Sequence, residues 1–358
     1  MTPFIYTAHP ARVLFGAGML QQLGVEIERL GARRALVLST PEQAASAAHV
    51  AALLGDRAAG VFARAVMHVP IETAREAREE ARRLGADCAV AIGGGSTTGL
   101  SKAIALESGL PIVAIPTTYA GSEVTAIYGL TEGGIKKTGR DPRVLPKTVI
   151  YDPELTLTLP YAMTVTSAFN AIAHAAEGLY APDANPVIAL MAEEGLRASA
   201  AALAPLQANP LDIDARSSAL YGAWLCGTVL GAITMGLHHK LCHTLGGTFN
   251  LPHADTHTVV LPHALAYNAP AIATALARMA RALGVADELS ADVPLALQQL
   301  ARAHGAPTSL AALGLPESAL DRAADLAVLT PYPNPRPLQR TALRALLQRA
   351  YNGAPPAA

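Results

Sequence analysis

Two short patterns carry most of the chemistry that this sequence can offer: Asn170-x3-His174 and His239-x3-His243-x9-His253. On a helix, side chains at i and i+4 share a face, so each pair aims both of its polar heads one way. Two such helices facing each other make a pocket of convergent groups. Imidazoles serve there as ligands of divalent metals, or as proton donors and acceptors near neutral pH. With a carboxylate at the first position, the set would give a cation a charged ligand. Asn170 supplies only an amide oxygen, so metal affinity is expected to fall. Six of the eleven histidines lie between positions 238 and 263, far denser than chance placement gives. A solitary buried histidine is usually a hydrogen-bonded core residue, which is the reading for His257 and His263. His174, His239, His243 and His253 are expected to share one pocket.

A second constellation is Gly93-Gly94-Gly95-Ser96, which follows the apolar run Cys88–Ile92 and opens a helix. Glycines in that setting let a phosphate approach the main chain, where the free N–H groups of the first helical turn can bind it. Ser96 can add a hydroxyl or cap the helix. The run is not G-x-G-x-x-G, so the loop alone leaves the ligand open, and a tight turn without a ligand is the alternative. Thr117-Thr118 end the next strand and are expected on the same sheet edge. Ser39 and Thr40 end an earlier strand without the carboxylate that would grip the ribose of NAD, which predicts that NADP is tolerated too.

These residues need elements to position them. Short β-rich runs alternate with amphipathic helices through the first half, the sign of a parallel sheet covered on both faces. Phe4–Thr7 and Arg12–Phe15 read as a hairpin. Strands follow at Ala35–Ser39, near Val61, and at Cys88–Ile92, Pro111–Ile115 and Val149–Tyr151. Beyond Asp152-Pro153 and Leu159-Pro160 the strand signal stops. Helices are expected at about 164–180, 186–205, 211–235, 237–247, 266–284, 291–304 and 338–351. The chain should therefore divide into a Rossmann-like α/β dinucleotide-binding domain, 1–157, and an all-helical catalytic domain, 158–358.

With 358 residues, 51% of them hydrophobic and a net charge of −1, the chain has the core of a two-domain globular protein and no basic block. Nucleic-acid and membrane partners are thus unsupported, leaving small molecules. Ser217–Leu237 carries no charge, yet its Gly, Ala, Ser and Thr content suits a buried helix better than a membrane span. Cys88, Cys226 and Cys242 are odd in number and widely spaced, and Met1–Thr7 lacks a leader-like pattern, so free thiols in the cytoplasm are expected.

Taken in order, Gly93-Gly94-Gly95-Ser96, Pro116-Thr117-Thr118, Leu145-Pro146-Lys147-x-Val149-Ile150-x-Asp152-Pro153 and Asn170-x3-His174 resemble the iron-containing alcohol dehydrogenases. His239-x3-His243, Asn250-Leu251-Pro252-His253 and Asn334-Pro335-Arg336-Pro337 continue the likeness over nearly the whole chain. The resemblance implies a dinucleotide bound by Gly94, Gly95, Ser96, Thr97, Thr117, Thr118, Ser39 and Lys136. It also implies a homodimer, and a metal, if one is bound, on Asn170, His174, His239 and His253. His243 would lie nearest the nicotinamide. Lys137, Arg140 and Cys242 keep ordinary readings: solvated cations and a free core thiol.

Two departures narrow the likeness. Asn170 stands where the family has Asp, and Gly99 stands three residues after Ser96, where the family has another Asp. Both changes resemble the branch that reduces maleylacetate to 3-oxoadipate with NADH or NADPH, generally without a required metal. In that branch the substrate would be a small dicarboxylate, with His174, His239, His243, His253 and Asn170 as the catalytic set. A metal-dependent alcohol or polyol dehydrogenase that tolerates Asn170 is the alternative. A lyase of the dehydroquinate-synthase-like fold and a non-catalytic nucleotide binder stand further off.

Overall fold

Six runs of small and branched aliphatic residues pair into one parallel sheet. The computed structural model describes residues 4, 6, 7, 12–133 and 135–358, and side chains at all of these but 135, 136, 287 and 288. The strands are β1 (Arg12–Phe15), β2 (Ala35–Leu38), β3 (Ala58–Phe62), β4 (Cys88–Gly93), β5 (Ile112–Pro116) and, after a two-stranded antiparallel ribbon of β6 (Ile127–Glu132) and β7 (Ile135–Arg140), β8 (Thr148–Tyr151). Their order is β1-β8-β5-β4-β2-β3. The chain moves outward from β2 to β3 and then returns to the other side of β2 as β4. The carboxyl ends of β2 and β4 therefore flank the kind of switch point at which open α/β sheets bind ligands.

Period-two alternation sorts the sheet's two faces. Ala35 and Val37 of β2 pack with helices α1 (Leu23–Arg29) and α2 (Ala44–Leu54). Leu36 and Leu38 pack with α3 (Ile71–Arg83) and α4 (Gly95–Ser108). Arg12–Phe15 pairs in parallel with β8 from Arg12↔Thr148 to Phe15↔Tyr151, while the hairpin expected of it with Phe4–Thr7 lies partly outside the described residues. Lys102 of α4 is fully buried, and its Nζ donates to the carbonyls of Ser122, Thr125 and Ile127 and to Thr125 Oγ1 at 2.7–2.9 Å. Burial outweighs the opposing effect of the buried Glu123 and lowers the ammonium to about 7. The charged form is the one that matches four acceptors, because a neutral amine has only two N–H groups to give. Lys102 thus ties α4 to the loop that leads into the ribbon.

The first unit ends at Leu159, and the second comprises Pro160–Ala358 together with residues 4, 6 and 7. Pro160 stands at the start of the first helix of the second unit. That unit is helical: α5 (Tyr161–Gly178), α6 (Pro186–Ala201), α7 (Leu203–Ala208), α8 (Ile213–Ala232), α9 (Leu237–Phe249), α10 (His253–Asn268), α11 (Ala273–Leu283), α12 (Val293–Ala303), α13 (Leu320–Val328) and α14 (Arg340–Asn352). α10 and α13 were not anticipated. Thr256-His257-Thr258-Val259-Val260 resembles a strand, and Pro262 argues against a helix. In the fold, the hydroxyls of Thr256 and Thr258 donate to carbonyls four residues back, and the helix continues through Pro262.

The uncharged stretch 217–237 is not one helix. α8 stops at Ala232, and α9 starts at Leu237 after a 96° bend. Among the described residues, no single helix is long and apolar enough to cross a membrane. The small residues there serve close packing: a Cβ on Gly222 of α8 would lie 2.4 Å from Ser199 Oγ and 2.8 Å from Ser199 N of α6.

Candidate active site

Glu177 explains why α9 begins where it does. Its carboxylate, 1% exposed, accepts from the backbone N–H groups of Gly236 (3.1 Å) and His238 (2.9 Å), capping the helix and opposing its dipole. The same carboxylate accepts from His239 Nδ1 at 2.7 Å. Asn170, His174 and Glu177 lie at i, i+4 and i+7 on α5, one face of the helix, so this buried acid was within reach of the sequence pattern and was missed. At its other end α9 closes with Asn250 in the left-handed region (φ 55°), a conformation that Asn tolerates. Leu251 and Pro252 follow, and His253 opens α10. The short turn folds α10 back against α9.

These three helices gather a chain of imidazoles. His174 stacks on His239, with centroids 5.2 Å apart and planes at 26°. His239 is 6.2 Å from His243 and 4.9 Å from His257. His253 lies 6.4 Å from His243 and 4.4 Å from His257. His238 meets His257 through a 3.0 Å bond between Nε2 and Nδ1. The four histidines expected together are thus linked, and His257, read as an ordinary core residue, belongs to the same cluster. His263 does stay in the core, on α10 and fully packed. Exposure is graded: His243 is exposed and His253 half-buried, while Asn170, His174, His239 and His257 are buried.

Burial drives the basicity of this interior. Desolvation, and next the positive charge that neighbouring imidazoles would carry, push His174, His238 and His257 well below the ordinary histidine range. They are neutral near pH 7. Within the cluster, three buried ring nitrogens have no hydrogen-bond partner: His174 Nδ1, His239 Nε2 and His257 Nε2. Such atoms are costly to leave unpaired and point to something that they hold in use.

The donor set Asn170, His174, His239 and His253 fits a divalent cation to this extent: His239 turns Nδ1 to a carboxylate and leaves Nε2 bare, as metal-bound histidines do. An amide and three imidazoles bring no negative charge to a cation, however, and the carboxylate bonded to His239, Glu177, is already engaged. Separately, His238, Cys242 and His257 offer donor atoms within 4.8 Å of one another. The two rings of that group already share a hydrogen bond. Cys242 is buried and its thiol is held well above the ordinary range by desolvation, so it is an unreactive core group.

The glycine-rich loop is built by the main chain. Gly93 has φ 149°, and a Cβ there would lie 2.5 Å from Thr97 Oγ1 and 2.7 Å from Gln43 Oε1. Gly94 caps α4 without a side chain, leaving the N–H groups of the first turn, at Gly95, Ser96 and Thr97, to an outside acceptor. A Cβ on Gly94 would come within 3.0 Å of Thr118 Oγ1. Thr117 N donates to Gly93 O, and Gln43 Nε2 donates to Thr117 Oγ1 at 2.8 Å. Gly94 to Thr97, Thr117 and Thr118 therefore meet at one sheet edge, with Gln43 as an unforeseen member. Thr97 Oγ1 is buried there and unpartnered. Ser39 stands apart: it is buried, and its hydroxyl donates to Thr40 O. Lys136 lies on β7 opposite Thr131, and its side chain falls outside the described residues.

Residues 10–153 match the family model described as iron-containing alcohol dehydrogenase, and residues 164–351 match its C-terminal counterpart. The chain is 68% identical over 356 residues to a maleylacetate reductase of Burkholderia cepacia, covering 99% of this chain and all of that one. The crystal structure of maleylacetate reductase from Rhizobium sp. strain MTP-10005 superposes with a TM-score of 0.94 at 55% identity, covering 99% and 100% of the two chains. An iron-containing alcohol dehydrogenase from Corynebacterium glutamicum does so with a TM-score of 0.92 at 45% identity, covering 99% and 98%.

Proposed function

The chain belongs to the iron-containing alcohol dehydrogenase family, and from that premise we infer that it reduces the carbon–carbon double bond of maleylacetate to give 3-oxoadipate. The observation that carries this reading is the imidazole cluster with an amide, Asn170, at the position of a carboxylate. It occurs in a chain whose full-length relatives bear the name of that activity. The hydride donor is a nicotinamide cofactor, and NADH and NADPH are both accepted, since Ser39 and Thr40 end the β2 strand without a carboxylate. Main-chain N–H groups from Gly94 to Thr97, with Thr117 and Thr118, take the pyrophosphate, and Lys136 adds a cofactor contact.

Maleylacetate is an enone flanked by two carboxylates. Hydride added to the alkene carbon beta to the ketone moves an electron pair onto the ketone oxygen, forming an enolate. A proton added to the alpha carbon then completes the product. His243, the exposed imidazole, donates a hydrogen bond to that oxygen as charge builds and supplies the proton. His174, His239 and His253 hold the substrate's oxygens, and Asn170 offers its amide. Glu177 at Nδ1 balances the charge that a second proton on His239 would bring. A divalent cation, if bound, would be held by Asn170, His174, His239 and His253 and would polarise the ketone. We assign no step to it and regard it as dispensable. The three free cysteines suit a reducing compartment, so we place the enzyme in the cytoplasm, as a homodimer.

The test is NADH oxidation with maleylacetate, run with and without a strong chelator alongside elemental analysis. Undiminished turnover without iron or zinc is expected, and no oxidation by maleylacetate would sink the reading. One observation favours a second reading, a metal-dependent alcohol or polyol dehydrogenase: His239 keeps the carboxylate partner typical of a metal ligand. Activity on alcohols that chelation abolishes would establish it.

A further inference from the structure

We propose that Gln43 contacts the cofactor and sets its selectivity, placing an uncharged amide in the crevice beside the pyrophosphate so that the neighbouring ribose is taken with or without a 2′-phosphate. The proposal deepens the reading of a nicotinamide-dependent reductase and rests on its cofactor.

The strand order puts Gln43 there. It ends a short turn, Pro41–Gln43, that follows β2, whereas Thr117 follows β5, and β4 lies between those two strands. The 2.8 Å bond from Gln43 Nε2 to Thr117 Oγ1 therefore runs across the carboxyl end of β4. Gly93, the last residue of β4, agrees: a Cβ there would lie 2.7 Å from Gln43 Oε1 and 2.5 Å from Thr97 Oγ1. The half-buried Gln43 thus spans the switch point itself, beside the free N–H groups of the first turn of α4. Thr97 Oγ1 faces the same spot, fully buried and without a hydrogen-bond partner, as expected where a ligand supplies the missing polar atoms.

Charge is what this arrangement lacks. A carboxylate at such a place accepts from the ribose hydroxyls and repels a 2′-phosphate. The other polar groups after β2 are turned elsewhere. Ser39 gives its hydroxyl to Thr40 O. Glu42 is exposed, and its carboxylate is bonded to its own N–H and to the Thr40 side chain. Gln43 is the side chain of this segment that reaches across β4. With Nε2 given to Thr117, Oε1 can accept from a ribose hydroxyl. The lack of charge is the same whichever head of the amide faces the ligand, so the selectivity does not depend on that choice.

Gln43→Glu keeps the length of the side chain and its bond to Thr117, whose hydroxyl then donates, and adds one negative charge. Binding is read by fluorescence titration with NADH and with NADPH, without substrate. Wild-type binding of NADH is measured first, so that its absence counts against the cofactor reading itself. With NADH bound, a wild type that refuses NADPH would overturn the proposal, because an uncharged site has no cause to reject the phosphate. Gln43→Glu should lower the affinity for NADPH relative to NADH by about 10- to 100-fold, the cost of one like charge beside the phosphate. Adenosine 2′,5′-bisphosphate should weaken in the same ratio as a competitor of NADH, and AMP should not, which locates the effect at the 2′ position. Gln43→Met fills the space without hydrogen bonding and should weaken both cofactors alike, by about 3- to 10-fold. Thermal midpoints should stay near wild type. A folded Gln43→Glu protein with the wild-type ratio of NADPH to NADH affinity would overturn the proposal. Should that variant not fold, Gln43→Met decides: an equal loss for both cofactors supports the contact, and wild-type affinity for both overturns it.

Discussion

In the α/β unit, buried Lys102 reaches four oxygens within 2.9 Å, and the candidate cofactor loop is made from main-chain N–H groups freed by Gly93 and Gly94. In the imidazole cluster of the helical unit, three buried ring nitrogens reach nothing, and the candidate site is made wholly of side chains. The first kind of site depends on backbone shape and survives many side-chain changes. The second depends on the identity and protonation of each ring. Substitutions should therefore divide cleanly: those in the glycine loop should alter cofactor binding, and those in the cluster should alter chemistry and substrate binding.

The largest effect should come from the exposed ring. His243→Ala is expected to lower kcat by about 100- to 10,000-fold, the usual worth of a positioned acid or base. NADH affinity by fluorescence titration should change little. A loss of NADH binding as large as the loss of turnover would erase the division between the two sites. Next comes Glu177→Gln, which removes the charge facing His239 and keeps a hydrogen-bonding head at the start of α9. A drop of about 10- to 100-fold in kcat/KM is expected, as for carboxylates behind functional histidines. Gly93→Ala tests the opposite arm. Its Cβ meets Thr97 and Gln43 at a positive φ, so KM for NADH should rise by about tenfold while 3-oxoadipate binding is retained. Equal damage to both ligands would show that the loop also shapes the helical site.

A smaller effect concerns stability. Burial, and next Arg349, hold His263 down to about 4, against 6.5 for a free imidazole. The unfolded chain therefore binds the proton first as pH falls, so this contribution is complete above about 6.5 and is lost as pH drops through about 4. The shift corresponds to about 3 kcal/mol at most. His263→Leu should flatten the acid limb of a plot of thermal midpoint against pH, and an unchanged limb would contradict it. Smallest of all, alkylation of Cys88, Cys226 and Cys242 should proceed only as fast as the fold opens. Burial pushes the first two thiols up to about 12 and holds the third well above the ordinary thiol range.

The same contrast explains what the sequence disclosed. Glycines at Gly93–Gly95 leave a plain mark, because few other reasons exist for three in a row between a strand and a helix. The i, i+4 histidine pairs are nearly as plain. Glu177 escaped notice because an acid on a helix is ordinary until its burial is known. His257 escaped because the β-branched residues around it hid the helix that brings it to the cluster. Gln43 reaches the loop from a helix 50 residues upstream of Gly93, a proximity that only the order of the parallel strands creates. Ser39 looked available because a strand end usually is, yet its hydroxyl is turned onto its own main chain.

Lys102 has one more consequence. Carbonyl and hydroxyl oxygens gathered about a central positive charge are the arrangement that a protein makes around an alkali ion. Here the ion is covalently attached and out of contact with water. The loop from Ser122 to Ile127 thus has a built-in counter-ion that can be neither diluted nor exchanged. Its shape should be indifferent to the salt of the medium, because buried charges are screened far less than exposed ones.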